Sequence, residues 1–366
     1  MGGLTLFDWL PRSTPGPLLV LMSVALAFFL LAGIAALVAM GIHLFDKWLD
    51  RRQCRERAAW RPRLYEVLMQ EAAPAALIDH VHPLRFDAFL AFLTPYASTI
   101  EGNEMNHLQA LARPFLPVVC ERAKAGPPLR RTRALRRIGL FGGSRHVPLL
   151  RTILQEDAPD LVLRAAMREL GRLGTAADVP LILETIDQLT DMDRRQISSI
   201  LYELGEEAAP VLRSALVNEV GPSQERSPFV RVVCAEALRW LGDAPSGPTA
   251  ATLLRTNEDL DPEVRASLLR LLRRVGRPHH AAAVRPYCES PVAFVRIHAA
   301  RALGSLGAAR DEAPLETRLR IDDNRWVALS AANALAELER WAPLHRLHDD
   351  SHPRASLIAG LLPSPE

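Results

Sequence analysis

The sequence has few cysteines and few aromatic residues. Cys54, Cys120, Cys234 and Cys288 are scattered, with no close pair, which argues against a disulfide framework and indicates a reducing compartment. Only 6% of residues are aromatic, so we expect a core of aliphatic side chains. The formal net charge is only +2, which excludes binding to nucleic acid through the overall charge of the molecule.

Long apolar runs are absent too, with one exception. No charged residue occurs between Pro17 and Ile42. As a helix, Leu18–Ile42 would span about 38 Å, more than the roughly 30 Å of a bilayer core. We therefore predict a transmembrane helix at 17–45, after a short N-terminal segment at 1–16. Trp9 and Trp48 are expected at the two interfaces.

A cleaved signal peptide is the alternative interpretation of this run. The run is too long for the apolar core of such a peptide, and only Arg12 precedes it as a positive charge. The residues that follow form a basic juxtamembrane helix at 46–63 with these cations: Lys47, Arg51, Arg52, Arg55, Arg57, Arg61 and Arg63. The positive-inside rule then predicts an outside N-terminus and a cytoplasmic C-terminal part. Contact with anionic lipid head groups is a further role for these residues.

An internal repeat organises the rest of the chain. Two clear copies are Asp261–Gly276 and Ser290–Gly307. Seven copies align on one position, here called the Arg slot, at intervals of 31 to 37 residues. The slot residues are Arg131, Leu163, Arg194, Arg231, Arg265, Arg296 and Ala328. Eleven positions later stand Gly142, Gly174, Gly205, Gly242, Gly276, Gly307 and, in the last copy, Glu339.

Three apolar columns follow the Arg slot. The column at plus three holds Ala134, Ala166, Ile197, Cys234, Leu268, Ala299 and Ala331. The column at plus seven holds Ile138, Leu170, Leu201, Leu238, Leu272, Leu303 and Leu335, and the column at plus ten is also apolar. Spacings of four and three predict an amphipathic helix, closed by a glycine in the left-handed conformation. A second helix with Pro near its start, as in Ser144–Gln155, separates the copies.

This pattern resembles HEAT repeats, in particular the short bacterial HEAT-like or phycobilisome-lyase-type repeats. The resemblance covers Arg130–Glu339 and implies an all-α solenoid of stacked helix pairs at 127–339. A degenerate N-terminal cap at 64–126 and a truncated C-terminal repeat at 340–366 complete the expected domains. In the family, the slot Arg pairs with an acid or a carbonyl of a neighbouring repeat, which we expect of Arg265 and Arg296.

The resemblance also implies that the helices carrying the Arg slot line a concave binding face. Slot positions plus two, plus five and plus nine would then face a partner. The candidate partner-binding residues are Arg133, Arg136, Arg168, Arg172, Glu203, Glu236, Trp240, Arg270, Arg274, His298 and Arg301, beside Gln196, Ser199, Asn333 and Glu337. Trp240 is either an interface anchor or a residue that packs on the next repeat.

Four other functions are weaker alternatives. His345, His348 and His352, beside Asp349 and Asp350, could bind a metal, but we interpret them as part of a polar capping helix. No His-Glu dipeptide supports a di-iron hydroxylase, and no residue supports a bilin-lyase activity. Nucleic-acid binding would use the basic clusters Arg130–Arg137 and Arg270–Arg277, but these clusters lack the aromatic residues that stack on bases.

We therefore expect a single-pass protein of the bacterial inner membrane with a non-catalytic cytoplasmic solenoid. It would hold a protein partner, such as a membrane enzyme complex of the cell envelope, near the bilayer. No catalytic residue, cofactor, metal, small-molecule substrate or nucleic acid is expected.

Overall fold

The computed structural model describes residues 16–100, 102–189, 193–217, 227–307, 309–349, 353–358 and 360–361. This part of the chain is helical and contains no β-strand. It divides into two compact units, Met1–Ala112 and Arg113–Glu366. The all-α solenoid expected from the repeats is thereby confirmed.

The first unit is built around one long helix. Its helices are α1 (Gly16–Leu68), α2 (Pro74–Ile78), α3 (Phe86–Ala97) and α4 (Asn103–Ala112). Within α1, Val20–Gly41 has a mean hydropathy of 2.6 and is entirely unburied. By length and composition this segment is able to cross a membrane.

The C-terminal end of α1 belongs to a packed core. Trp60, Leu64 and Val67 are buried. The Trp60 ring lies edge-on to Phe89 at 5.3 Å between centroids, and its centroid is 5.6 Å from that of Phe92. One continuous helix therefore carries a fully exposed apolar segment at one end and core residues at the other.

The second unit is a stack of helix pairs. The helices that carry the Arg slot, called slot helices below, are α6 (Pro128–Phe141), α8 (Asp160–Leu173), α10 (Arg194–Glu203), α12 (Pro228–Leu241), α14 (Pro262–Val275), α16 (Ala293–Leu306) and α18 (Arg325–Glu337). The partner helices that precede them are α5 (Leu116–Lys124), α7 (Val147–Gln155), α9 (Val179–Gln188), α11 (Ala209–Val217), α13 (Ser246–Thr256), α15 (Ala281–Val284) and α17 (Glu312–Ile321). The last pair is α19 (Ala342–Asp349) and α20 (Ala355–Ile358).

Consecutive slot helices pack on one another from α6 to α18. Every residue of the plus-seven column, from Ile138 to Leu335, has 0% of its surface exposed, and every residue of the plus-three column is buried as well. These columns form the shared core that the sequence predicts, since a single helix pair cannot bury its own apolar face.

Five of the six glycines at the ends of the slot helices fall into two groups, and Gly205 differs from both with φ of 80° and ψ of −175°. Gly242 and Gly307 adopt the left-handed conformation, with φ of 68° and 72°, as predicted. The same prediction is wrong for Gly142, Gly174 and Gly276, which have negative φ. A Cβ there would lie 2.4, 2.5 and 2.3 Å from the carbonyl oxygen four residues earlier. At these three ends glycine is required by close backbone approach.

The last copy keeps the left-handed conformation without glycine. Glu339, which stands at the glycine position, has φ of 57°. A left-handed conformation costs a residue with a Cβ about 1–2 kcal/mol. Glu339 therefore has the backbone conformation of the repeat, although it is not a glycine.

Candidate partner-binding surface

The eleven candidate partner-binding residues all lie on slot helices from α6 to α16. Because these helices pack side by side, equivalent positions follow one another along one row. Arg133, Arg136, Arg168, Arg172, Glu203, Arg274 and Arg301 are exposed. Glu236, Trp240, Arg270 and His298 are half-buried. The structure thus brings the candidates into one array, in which the half-buried members belong to α12, α14 and α16.

A cavity of about 350 Å³ opens between α12, α14 and α16, and is here called the arginine pocket. It is lined by Arg239, Arg270, Arg273, Arg274, His298 and Arg301. Four of these residues are candidates from the sequence, whereas Arg239 and Arg273 were missed. Both lie eight positions after the Arg slot, next to the positions that were chosen. The signal for them was the presence of Arg at plus eight in two successive copies.

Acidic side chains balance only part of the positive charge of the arginine pocket. Glu236 accepts a hydrogen bond from Arg239 at 2.7 Å and another from Arg270. Arg273 lies 3.7 Å from Glu337. Among the residues that the structure describes, no ion pair to Arg274 or Arg301 is found. The arginine pocket therefore keeps an excess of positive charge.

His298 lies in the same pocket and is held neutral. Burial, reinforced by Arg270 and Arg301, lowers the pKa of His298 to about 4. Its Nε2 is 3.2 Å from Nη1 of Arg270. Because a guanidinium can only donate, Nε2 must accept this hydrogen bond, which assigns the ring proton to Nδ1.

Trp240 packs toward the preceding slot helix. Its ring is 6.3 Å from that of Tyr202 in an edge-on arrangement, and the Arg239 guanidinium lies 5.9 Å from its centroid. Trp240 also lines a second cavity of about 390 Å³. The other residues of this cavity are Asp193, Arg194, Arg195, Ser198, Val232, Glu236, Arg239 and Arg270. Trp240 thus combines a packing contact with an accessible face.

The slot helices α8 and α10 each carry a glutamate whose pKa is raised by burial. Glu169 is only 3% exposed, and burial raises its pKa to about 7 although Arg172 donates to it at 3.3 Å. Burial also raises the pKa of Glu203. A Cβ on Gly139 would lie 1.6 Å from the Glu169 carboxylate. Glycine at this position of α6 therefore makes the room that Glu169 occupies.

The Arg slot residues make structural contacts. Arg296 is buried and binds both carboxylate oxygens of Asp322, at 2.7 and 2.8 Å. It also donates to the Ser290 carbonyl at 2.8 Å. Arg265 donates to the Glu258 carbonyl and lies over the Tyr287 ring. These contacts agree with the pairing to an acid or a carbonyl that the repeat pattern implies.

A second set of ion pairs joins successive units on the partner-helix side. Arg151 binds Asp178 at 2.6 Å, Arg213 binds Asp243 at 2.7 Å, and Arg285 binds Asp311 at 2.6 Å. Burial alone would raise the pKa of Asp178, but hydrogen bonds from Arg151 and Thr175 lower it. These pairs could not be predicted from the sequence, because the two residues of each pair are 26 to 30 positions apart and the spacing varies.

Two of the three histidines considered as metal ligands lie on one helix. His345 and His348 are exposed on α19, and His352 lies outside the described residues. Within the described part of the chain, no group of three or more His, Cys, Asp or Glu side chains could hold a metal ion.

The basic residues that predict the membrane topology lie in the middle part of α1. Lys47, Arg51, Arg55 and Arg57 are exposed, and the side chain of Arg52 lies outside the described residues. They follow the apolar segment Val20–Gly41 and precede the buried Trp60. The basic residues therefore sit between the candidate membrane span and the packed core of the first unit.

The helix pairs define an α-solenoid. Residues 249–336 match the profile of HEAT repeats. This part of the chain therefore carries HEAT repeats. No curated protein sequence matches the chain.

Solved structures similar to this chain include the karyopherin Kap121p bound to RanGTP. The identity is 13%, with 83% of this chain and 40% of that chain covered and a TM-score of 0.38. An engineered protein is 14% identical, with 78% and 84% covered and a TM-score of 0.36. The chain thus spans about two fifths of the length of the karyopherin.

Proposed function

We propose that this protein is a membrane-anchored HEAT-repeat scaffold that binds a protein partner on the row of slot helices. The observation that carries the proposal is this row of charged and aromatic side chains, whose half-buried members line two adjacent cavities. Arg and Trp are enriched among the few residues that contribute most of the binding energy at protein interfaces. No catalytic role is proposed for them.

The membrane anchor in this proposal is Val20–Gly41. All of this segment is exposed, although it is strongly apolar, and a lipid bilayer would bury such a surface. The exposed cations after it favour an outside N-terminus and a solenoid in the cytoplasm, at the inner membrane of a bacterium. A membrane enzyme complex of the cell envelope is the kind of partner that such a position would serve.

Site-specific photo-crosslinking in native membranes tests the partner surface. We would place a photoreactive amino acid at Arg136, Arg168 or Arg301 on slot helices and, as matched controls, at the exposed Thr152 and Thr317 on partner helices. The proposal expects one protein to be captured from the slot-helix positions and not from the controls. Capture from the controls alone, or from no position, would refute it.

Cys54 offers a test of topology. It is exposed and follows the apolar segment, whereas Cys234 and Cys288 are buried. An impermeant maleimide should label Cys54 only after the membrane is permeabilised. Labelling in intact cells would place the solenoid on the other side of the membrane, and recovery of the chain without residues 1–45 would identify a cleaved signal peptide.

A further inference from the structure

The arginine pocket has a composition that suits an anion. Five guanidinium groups and one imidazole line its cavity of about 350 Å³, a size within the range of small-ligand sites. Planar guanidinium groups form paired hydrogen bonds with carboxylates and phosphates. The residues come from three consecutive slot helices, so the site exists only because the repeats are stacked.

The charges in the pocket are incompletely balanced. Glu236 is shared by Arg239 and Arg270, and Glu337 approaches Arg273. Arg274 and Arg301 are exposed and make no described ion pair. A bound anion would supply the missing negative charge. The neutral state of His298, which accepts a hydrogen bond from Arg270, fits a pocket whose local potential is positive.

The neighbouring cavity narrows the choice of anion. It shares Arg239 and Arg270 with the arginine pocket, and its other lining residues are Arg194, Arg195, Ser198, Trp240, Val232, Asp193 and Glu236. Two carboxylates among the arginines interrupt the uniformly positive surface that a continuous polyphosphate backbone requires. Trp240 and Val232 offer an apolar contact instead. A peptide segment that combines clustered acidic residues with an apolar side chain matches both cavities.

We propose that the arginine pocket binds the clustered Asp and Glu carboxylates of an acidic segment in the protein partner. This inference rests on the proposed function, and it adds the chemistry of the partner. Arg274 and Arg301 bind the carboxylates directly. Arg239 and Arg270 are oriented by Glu236, and the second cavity takes an apolar residue next to the acidic cluster.

The test uses the full chain in detergent and a fluorescein-labelled peptide of alternating Asp and Glu that ends in Phe. Fluorescence anisotropy should show binding that weakens with salt. Arg274→Glu with Arg301→Glu should reduce the affinity at least about tenfold. Arg145→Glu with Arg310→Glu makes the same change in net charge at exposed positions in the turns Ser144–His146 and Ala309–Asp311. It should change the affinity by less than about threefold.

Competitors distinguish the kinds of anion. The same peptide with Gln and Asn in place of Glu and Asp should not displace the probe. Displacement by inorganic phosphate or by single-stranded DNA at lower concentration than the unlabelled acidic peptide would overturn the proposal. Equal loss of binding in both double variants would overturn it as well, because binding would then follow net charge alone.

Histidine NMR supplies a second measurement. At neutral pH the acidic peptide should shift the ring signals of His298, which His298→Gln identifies by their loss. Unchanged His298 signals would place the peptide elsewhere and overturn the proposal. If photo-crosslinking at Arg136 or Arg168 still captures a partner while Arg274→Glu with Arg301→Glu has no effect, the proposed function stands and this inference fails.

Discussion

Leucine has opposite environments in the apolar segment Val20–Gly41 of α1 and in the slot helices. In α1, Leu26, Leu30 and Leu37 are 57–74% exposed, and no charged residue interrupts the run. In the slot helices, Leu238 and Leu303 are fully buried, and charged residues cover the opposite face. A repeated apolar column thus creates its own buried environment by stacking, whereas the apolar segment of α1 is exposed and would be buried only by the lipid of the proposed anchor.

The largest expected effect comes from placing a charge in each environment. Leu303→Asp should destabilise the repeats by at least about 4–5 kcal/mol, because the carboxylate would be buried without a partner. Leu30→Asp should leave their thermal unfolding within about 0.5 kcal/mol. It should instead increase the fraction extracted from membranes by carbonate, since a central Asp opposes insertion by about 2.5–3.5 kcal/mol. Equal unfolding in both variants would contradict the comparison.

A charged residue in the core of the repeats requires an oppositely charged partner, as the ion pair between Arg296 and Asp322 shows. Arg296→Ala would leave the Asp322 carboxylate, which is 1% exposed, without its main partner. We expect a loss near the lower end of about 3–5 kcal/mol, since Arg318 at 3.7 Å retains part of the interaction. Arg301→Ala on the same helix is the control and should cost less than about 0.5 kcal/mol. Urea unfolding of the full chain in detergent measures both.

Glu169 is expected to make the stability of the repeats depend on pH. Its pKa in the folded state is about 7, above the unfolded value of about 4.3. The folded state therefore binds this proton more tightly, and Glu169 should contribute a gain of about 2–3 kcal/mol as pH falls from about 7.5 to about 4.5. His298, whose folded pKa of about 4 lies below the unfolded value of about 6.5, should contribute a loss over the same range. Below about pH 4 stability should fall again, because the pKa values of Asp178 and Asp322 are lowered in the folded state.

Glu169→Gln isolates this contribution. Compared with the parent protein, the variant should lack the gain of about 2–3 kcal/mol between neutral pH and pH 4.5 and keep the loss in stronger acid. Glu184→Gln changes an exposed glutamate of α9 and should keep the pH dependence of the parent protein. The melting temperature as a function of pH distinguishes the two variants, and a pH dependence of Glu169→Gln equal to that of the parent protein would contradict the prediction.

The smallest expected effect tests the end of the array. Glu339→Gly should stabilise the protein by about 0.5–1 kcal/mol, because glycine adopts the left-handed conformation without the Cβ penalty. Gly307→Ala, with φ of 72° at the equivalent position, should destabilise it by about 1 kcal/mol. Opposite shifts in melting temperature are expected, and shifts of the same sign would contradict a shared backbone at the two positions.

The helices and the core were predictable because they depend on spacing within one repeat. The buried residues Leu170, Leu238 and Leu335 follow from the plus-seven column alone. The ion pairs between Arg151 and Asp178 and between Arg285 and Asp311 were not predictable, since they depend on how one unit sits on the next. The arginine pocket was predictable only in part for the same reason. Four of its residues belong to the expected row, but Arg239 and Arg273 at plus eight line the pocket only because of how the helices stack.

Packing between nearest neighbours along the array has a consequence for synthesis. Each slot helix is stabilised mainly by the slot helix before it, the one after it and a partner helix close in sequence. Contacts of this kind can form as soon as two consecutive units are complete. The array can therefore assemble unit by unit while the ribosome is still translating its C-terminal repeats.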